Sequence, residues 1–313
     1  MLENREALLG YGDRGTYLLH RGTGETELFH RADTTCAYLT ENAAESCASY
    51  NMLRLTGQIF PYLADGKWMD YYENTLCNHI MASCSHTCDG GTTYFMPQNP
   101  GGHKEFTTSE NTCCHGTGFE SRYRYMEHIF FQDEQALYIN LLIPCRLTDD
   151  PKSAPGVQTL LELRQEQEGV FCIRCQKDMT KKLALRIPGW AENRYELKGP
   201  GSEPVTLKKG YLFLERQLRA GDALYLKLPM EPILRTDRTD SRFSYLTCGP
   251  YVMAARSDSK AFLPAPRPEK LRELKETLHF TDGKLEYLPL WQIDKEPYHI
   301  YFRDFREETD GSE

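Results

Sequence analysis

The sequence predicts an α+β chain of more than one domain, from two changes of pattern and one long irregular stretch. Up to about residue 135, apolar residues recur at helical spacing, and beyond it they alternate. Between Cys84 and Cys114 lies a Gly/Pro/Thr/Ser-rich stretch with little periodicity, and a loop that long inside a compact domain is usually functional. At 313 residues the chain can build two domains around sizeable cores.

The first predicted helix runs from Ala44 to about Leu63 and places Cys47, Tyr50, Leu53 and Ile59 near one face. Asn42 sits where an N-cap would be, and Glu45 follows in the first turn. A second helix is expected from Gly66 to Met81, where Trp68, Tyr72, Leu76 and Ile80 repeat every four residues. A third is expected from Gly118 to Phe131. After that the period becomes two: Leu137, Ile139, Leu141 and Ile143 alternate, as do Leu183, Leu185 and Ile187, and then Leu224, Leu226 and Leu228. Turn clusters at 149–156, 198–204 and 220–222 separate these runs, as in a β-sandwich. The stretch 263–268 reads as a linker or wrapping arm.

Composition excludes several classes. Apolar residues are 40% and charged residues 26%, and mean hydropathy is −0.59, the profile of a globular chain. No uncharged apolar run approaches the roughly 20 residues of a membrane helix, so no membrane partner is expected. A net charge of −8 without a basic run argues against nucleic acid. The N-terminus lacks a secretion-signal layout, and 11 cysteines, an odd count, fit reduced thiols better than a disulfide framework. The expected compartment is the cytoplasm.

Three local features carry chemistry. Glu45-Ser46-Cys47 is an E-x-C at a helix start, and Cys113-Cys114 is an adjacent pair followed by His115. Three thiolates and one carboxylate would make a tetrahedral zinc shell, although buried free cysteines also serve as small hydrophobes. The third feature is Gly22 to Phe29, where Glu25 and Glu27 could supply a general acid/base or form a solvated acidic turn. Cys172 and Cys175 have C-x-x-C spacing in a strand-like run, where i and i+3 face opposite ways, and are read as structural. Cys84 and Cys88 near His86 are read as loop thiols, and Trp190 as a core anchor. Glu120, His103 and Lys104 fit pocket, packing or surface roles equally well.

The runs TELFH and AAESCASYNMLRLTGQIF resemble the signature of glycoside hydrolase families 127 and 146, the bacterial β-L-arabinofuranosidases. DYYENTLCNHI, GGTTYFMPQNPGG, CCHGTGFES, ALYINLLIP, LALRIPGWA, GYLFLERQL, LKLPM and CGPYVM follow in order, and the form looks closer to family 146. The resemblance implies that residues 1–135 are the C-terminal part of an (α/α)6 toroid and residues 136–313 are β-sandwich domains. It implies zinc held by Glu45, Cys47, Cys113 and Cys114, with Cys113 as nucleophile and Glu27 as acid/base; Glu25 is the alternative. Tyr94 is similar to a tyrosine that contacts the sugar, and His115 is a further substrate-side candidate. The resemblance also implies that the second predicted helix, which carries Glu73 and Asn78, is mostly structural. The implied partner is an arabinofuranoside-containing glycan, with a missing N-terminal half or a second copy as protein partners. Members are about twice this length, so a non-catalytic remnant with structural zinc, binding carbohydrate or a complementing partner, is the alternative function.

Overall fold

The computed structural model describes residues 35–87, 90–148, 158–202, 205–237 and 240–304. Few helices and many strands make up these residues, so the chain is α+β. The chain divides into two compact units. Among the described residues the first comprises 35–55, 71–125 and 231–304, and the second 56–70 and 126–230. No described helix is long and apolar enough to cross a membrane.

Helix α1 is Ser46–Leu63, with Tyr50, Leu53, Ile59 and Phe60 buried. Pro61 falls in its last turn, and Ala64 ends it in the left-handed region at φ 44°. The start differs from the expected one: Asn42 does not cap it. Ala44 takes φ 54°, which breaks helical continuity, and Glu45 lies in an isolated antiparallel bridge with Phe95. Helix α2, Gly66–Thr75, runs on into a π-helical turn, Leu76–Ile80, where Met81 N–H reaches back five residues to Leu76 O at 2.9 Å. Helix α3 is Cys113–Arg124, not 118–131. Thr112 caps it in extended conformation, and residues from Phe130 onward already form strand.

In the second unit the strands are β1 Phe130–Gln132, β2 Ala136–Ile139, β3 Cys145–Thr148, β4 Thr159–Gln167 and β5 Val170–Cys175. They continue with β6 Lys182–Arg186, β7 Glu196–Lys198, β8 Val205–Lys208, β9 Tyr211–Leu214 and β10 Ala223–Lys227. Two five-stranded sheets result, ordered β1-β2-β6-β9-β8 and β3-β4-β5-β10-β7. The first contains a parallel pair, β2 with β6, which joins segments more than forty residues apart and so is invisible to local pattern. The alternating leucines at 183, 185, 224 and 226 are fully buried. The expected strand through Ile143 stops at Ile139. Arg186 is 0% exposed; its Nη1 donates to Asp70 Oδ1 at 2.5 Å, and Gly189 N–H donates to the same oxygen at 2.9 Å. A Cβ on Gly189 would stand 2.7 Å from Asp70 Oδ2, so a larger residue there would have to push the Asp70 carboxylate aside.

In the first unit β11, β12 and β13 (Pro232–Thr236, Phe243–Cys248 and Tyr251–Arg256) lead a nine-stranded sheet. The arm at 263–268 is partly ordered into it, because Leu263–Pro264 pairs in parallel with Phe302–Arg303. The core of this unit gathers Val252, Leu288, Leu290, Tyr298 and Ile300 with Ala44, Ala82 and Met96. Asn78, in the π turn, donates to Pro250 O at 2.8 Å and accepts from Val252 N–H at 2.7 Å. A segment that carries Glu45 therefore rests on the same rigid core as the sheet.

Candidate active site

The long loop builds one wall of the site. Residues 93–98 run beside 40–46: Ser46 N–H donates to Tyr94 O at 3.0 Å, Met96 N–H to Ala43 O at 3.0 Å and Gln98 N–H to Thr40 O at 2.9 Å. Ser46 Oγ adds a bond to Thr93 O at 3.0 Å. These contacts hold Glu45 just outside α1 and Cys47 in its first turn.

Cys113 and Cys114 open α3. Adjacent residues at a helix start point about 100° apart, so one can be buried while the other faces solvent. Cys114 is fully buried and Cys113 is exposed. The start of α3 is pinned twice. His115 bonds Thr112 Oγ1 through Nδ1 at 2.5 Å and Thr107 Oγ1 through Nε2 at 2.9 Å. Gly118 lies against Thr92, where an added Cβ would meet Cγ2 at 2.7 Å.

Glu45, Cys47, Cys113 and Cys114 thus converge, with one ligand atom from each lying within 4.8 Å of all the others. Cys47 Sγ is 3.6 Å from Cys113 Sγ, and Cys113 Sγ is 4.0 Å from Cys114 Sγ. Glu45 Oε1 is 3.9 Å from Cys113 Sγ and 3.7 Å from Cys114 Sγ, and it also contacts Cys47 Sγ. These separations are far too long for disulfides. A tetrahedral shell with metal–sulfur bonds of about 2.3 Å has sulfur–sulfur edges of about 3.8 Å, so the donor set fits a tetrahedral thiolate-loving cation. Burial pushes the Cys47 thiol well above its usual range, with the Glu45 carboxylate acting the same way. Burial likewise pushes Cys114 up to about 12. A cation among these sulfurs would reverse both shifts.

Tyr94 Oη lies 3.6 Å from the exposed Cys113 Sγ. Tyr94 and His115 both line a cleft of about 360 Å³. Glu27 and Glu25 lie outside the described residues. Of the two threonines that hold His115, Thr112, directly before Cys113, is a readable N-cap signal, whereas nothing in the sequence marks Thr107.

The remaining candidates go elsewhere. Lys104 is 1% exposed and donates to Leu290 O at 2.8 Å and Ile293 O at 2.5 Å, a packing role. Glu120 is held at the helix surface by Arg124 at 2.6 Å. Cys84 Sγ pairs with Tyr125 Oη at 3.2 Å, and His86 Nε2 with Trp291 O at 2.5 Å; Cys88 lies outside the described residues. Trp190 is buried.

An exposed thiol beside a half-buried one, a buried one and a buried carboxylate, on an α+β scaffold, defines a site able to hold a metal beside a nucleophile. Comparison with known proteins names the family. Residues 17–127 match the catalytic-domain model of the GH127 β-L-arabinofuranosidases, and residues 136–230 match that family's middle-domain model. Together these matches cover well over half of the chain, and the protein belongs to the GH127 β-L-arabinofuranosidase family.

Solved structures agree on the fold. A GH127 β-arabinofuranosidase superposes with TM-score 0.72 at 18% identity, covering 91% of this chain and 53% of that one. A GH127 β-L-arabinofuranosidase from Geobacillus stearothermophilus T6 gives TM-score 0.68 at 18% identity, covering 93% of this chain and 55% of that one. A third chain, described as a glycoside hydrolase, gives TM-score 0.67 at 16% identity, covering 88% and 54%. The chain therefore spans about half the length of these structures. No curated protein sequence matches it.

Proposed function

We propose that the protein is a retaining glycoside hydrolase that releases β-L-arabinofuranose from plant glycan or glycoprotein side chains. The observation that carries this reading is Cys113: an exposed thiol at a helix start, 3.6 Å from Cys47 Sγ and from Tyr94 Oη. Zinc is the ion assigned to Glu45, Cys47, Cys113 and Cys114, and when bound it keeps the thiols deprotonated at neutral pH.

In the first displacement Cys113 Sγ attacks the anomeric carbon while the Glu27 carboxyl gives its proton to the departing oxygen. The C–O bond breaks as a C–S bond forms. Glu27 carboxylate then takes a proton from water, whose oxygen displaces the sulfur, and L-arabinose leaves with its configuration retained. Glu27 is assigned through the family resemblance, with Glu25 as the alternative. The amide end of α3 favours negative charge on Cys113, and Tyr94 Oη can donate to it or to the sugar.

In the same reading residues 1–135 are the C-terminal part of an (α/α)6 catalytic domain, residues 136–313 are β-sandwich domains, and the family 146 form is the nearer one. One observation favours a second reading. Because the chain spans about half of the structures it resembles, it can be a non-catalytic remnant, or a half that needs a complementing partner. Turnover of a chromogenic β-L-arabinofuranoside, lost in Cys113→Ser and in Glu27→Gln, supports the hydrolase. Wild type and both variants behaving alike would remove it.

A further inference from the structure

Neither ring nitrogen of His115 is spare. An imidazole nitrogen makes one hydrogen bond, and here Nδ1 meets Thr112 Oγ1 at 2.5 Å while Nε2 meets Thr107 Oγ1 at 2.9 Å. A threonine hydroxyl both donates and accepts, so these two partners satisfy the ring in either tautomer. The family resemblance makes His115 a substrate-side candidate, but the ring has no nitrogen left to offer a sugar.

Thr107 is itself fixed. It exchanges both backbone bonds with Thr92, N–H to O at 3.1 Å each way. The Thr92 side chain in turn packs on Gly118, three residues on from His115 and so on the same face of α3. The next two residues of that loop hold α1: Ser46 Oγ donates to Thr93 O at 3.0 Å, and Ser46 N–H to Tyr94 O at 3.0 Å. Three consecutive loop residues, 92–94, thus refer both helix starts to one stretch of backbone. Through the Thr92–Thr107 pair, His115 ties Cys113 and Cys114 to the loop that also holds Glu45 and Cys47.

The geometry points to His115 as a positioning residue that sets one half of the metal shell against the other, and with it the aim of Cys113, without touching sugar. The inference rests on the proposed function, because it takes these four residues as one metal site. Groups bonded behind a metal's ligands typically change its affinity about 10–100-fold when they are removed.

The test compares wild type with His115→Phe, which keeps a ring but no nitrogen, and with Thr107→Val, which leaves the imidazole in place. Zinc affinity is read by competition with a chromogenic chelator, and ligand geometry by the visible spectrum of the cobalt(II)-loaded protein. Each variant should bind zinc about tenfold more weakly and shift the cobalt bands, and the double variant should be no more than about twofold weaker than either. Thr107→Ser, which keeps the hydroxyl, should stay within about twofold of wild type with its spectrum unmoved. On a chromogenic arabinofuranoside, kcat should fall in His115→Phe while KM stays within about twofold. A raised KM with zinc affinity and spectrum unchanged would overturn the inference and put His115 on the sugar; so would a silent Thr107→Val. Wild type that takes up neither zinc nor cobalt would remove the metal site and this role together. The expected affinity losses in a chain that turns over no arabinofuranoside would keep the role and remove the hydrolase reading.

Discussion

Cys113–Cys114 and Cys172–Cys175 are both cysteine pairs within a few residues, and their surroundings separate them completely. The first pair opens a helix, which exposes one thiol, buries the other and brings both against Glu45 and Cys47. The second pair sits in strand β5, where i and i+3 point to opposite faces. Both of its thiols are buried, at 1% and 0% exposure, and Cys175 Sγ is spent on Lys177 O at 2.8 Å. Burial also raises the Cys175 thiol and keeps it protonated. Spacing alone would favour the C-x-x-C. What decides is the convergence of two separate segments and the exposure of one sulfur.

Substitution should break the contrast most sharply through activity. Cys113→Ser is expected to lower turnover of a chromogenic arabinofuranoside by at least about a thousandfold, since a hydroxyl is far less acidic and less nucleophilic. Cys172→Ser should stay within about twofold of wild type, at the expense of stability, because it buries a hydroxyl. Metal removal sharpens the same contrast. A strong chelator should lower the unfolding temperature of wild type and of Cys172→Ser alike, and leave Cys114→Ala unmoved, as scanning calorimetry would show.

Lys104 extends the comparison to a buried polar group that is structural. Burial lowers its ammonium from 10.5 to about 7, against the opposing pull of Asp294 and Glu296. Between those values the unfolded chain holds a proton that the folded chain lacks. Stability should therefore rise with pH across that window, by up to about 1.4 kcal/mol per unit, and level off below it. A neutral amine still has two N–H donors for Leu290 O and Ile293 O. Denaturant unfolding from pH 7 to 9 should show the rise in wild type and not in Lys104→Met. The smallest effect belongs to Thr112→Ala, which removes the cap of α3 at about 1 kcal/mol in the same titration.

Much of this was legible in the sequence. The α+β division, the helix over Tyr50 to Ile59 and the strands at 183–187 and 224–228 follow from periodicity, because each buries one repeating face. The start of α3 was not. CCHGTG has no apolar repeat and two glycines; the Thr112 cap, the His115–Thr107 bond and the packing of Gly118 on Thr92 hold it in place. Asn42 looked like a cap because the left-handed turn at Ala44 leaves no local trace. The pairing of Glu45 with Phe95 is long-range and aperiodic, so periodicity gives no sign of Tyr94 near Cys113; only the family resemblance names both residues. Lys104 shows the same gap: nothing in NPGGHKEF marks a lysine that folding buries against two carbonyls.

Whether Glu45, Cys47, Cys113 and Cys114 together hold one zinc ion is decided by elemental analysis of the purified chain. About one zinc per wild-type chain and none in Cys114→Ala is expected. Wild type purified without zinc, or zinc retained in Cys114→Ala, would mean that these four residues are not one zinc site.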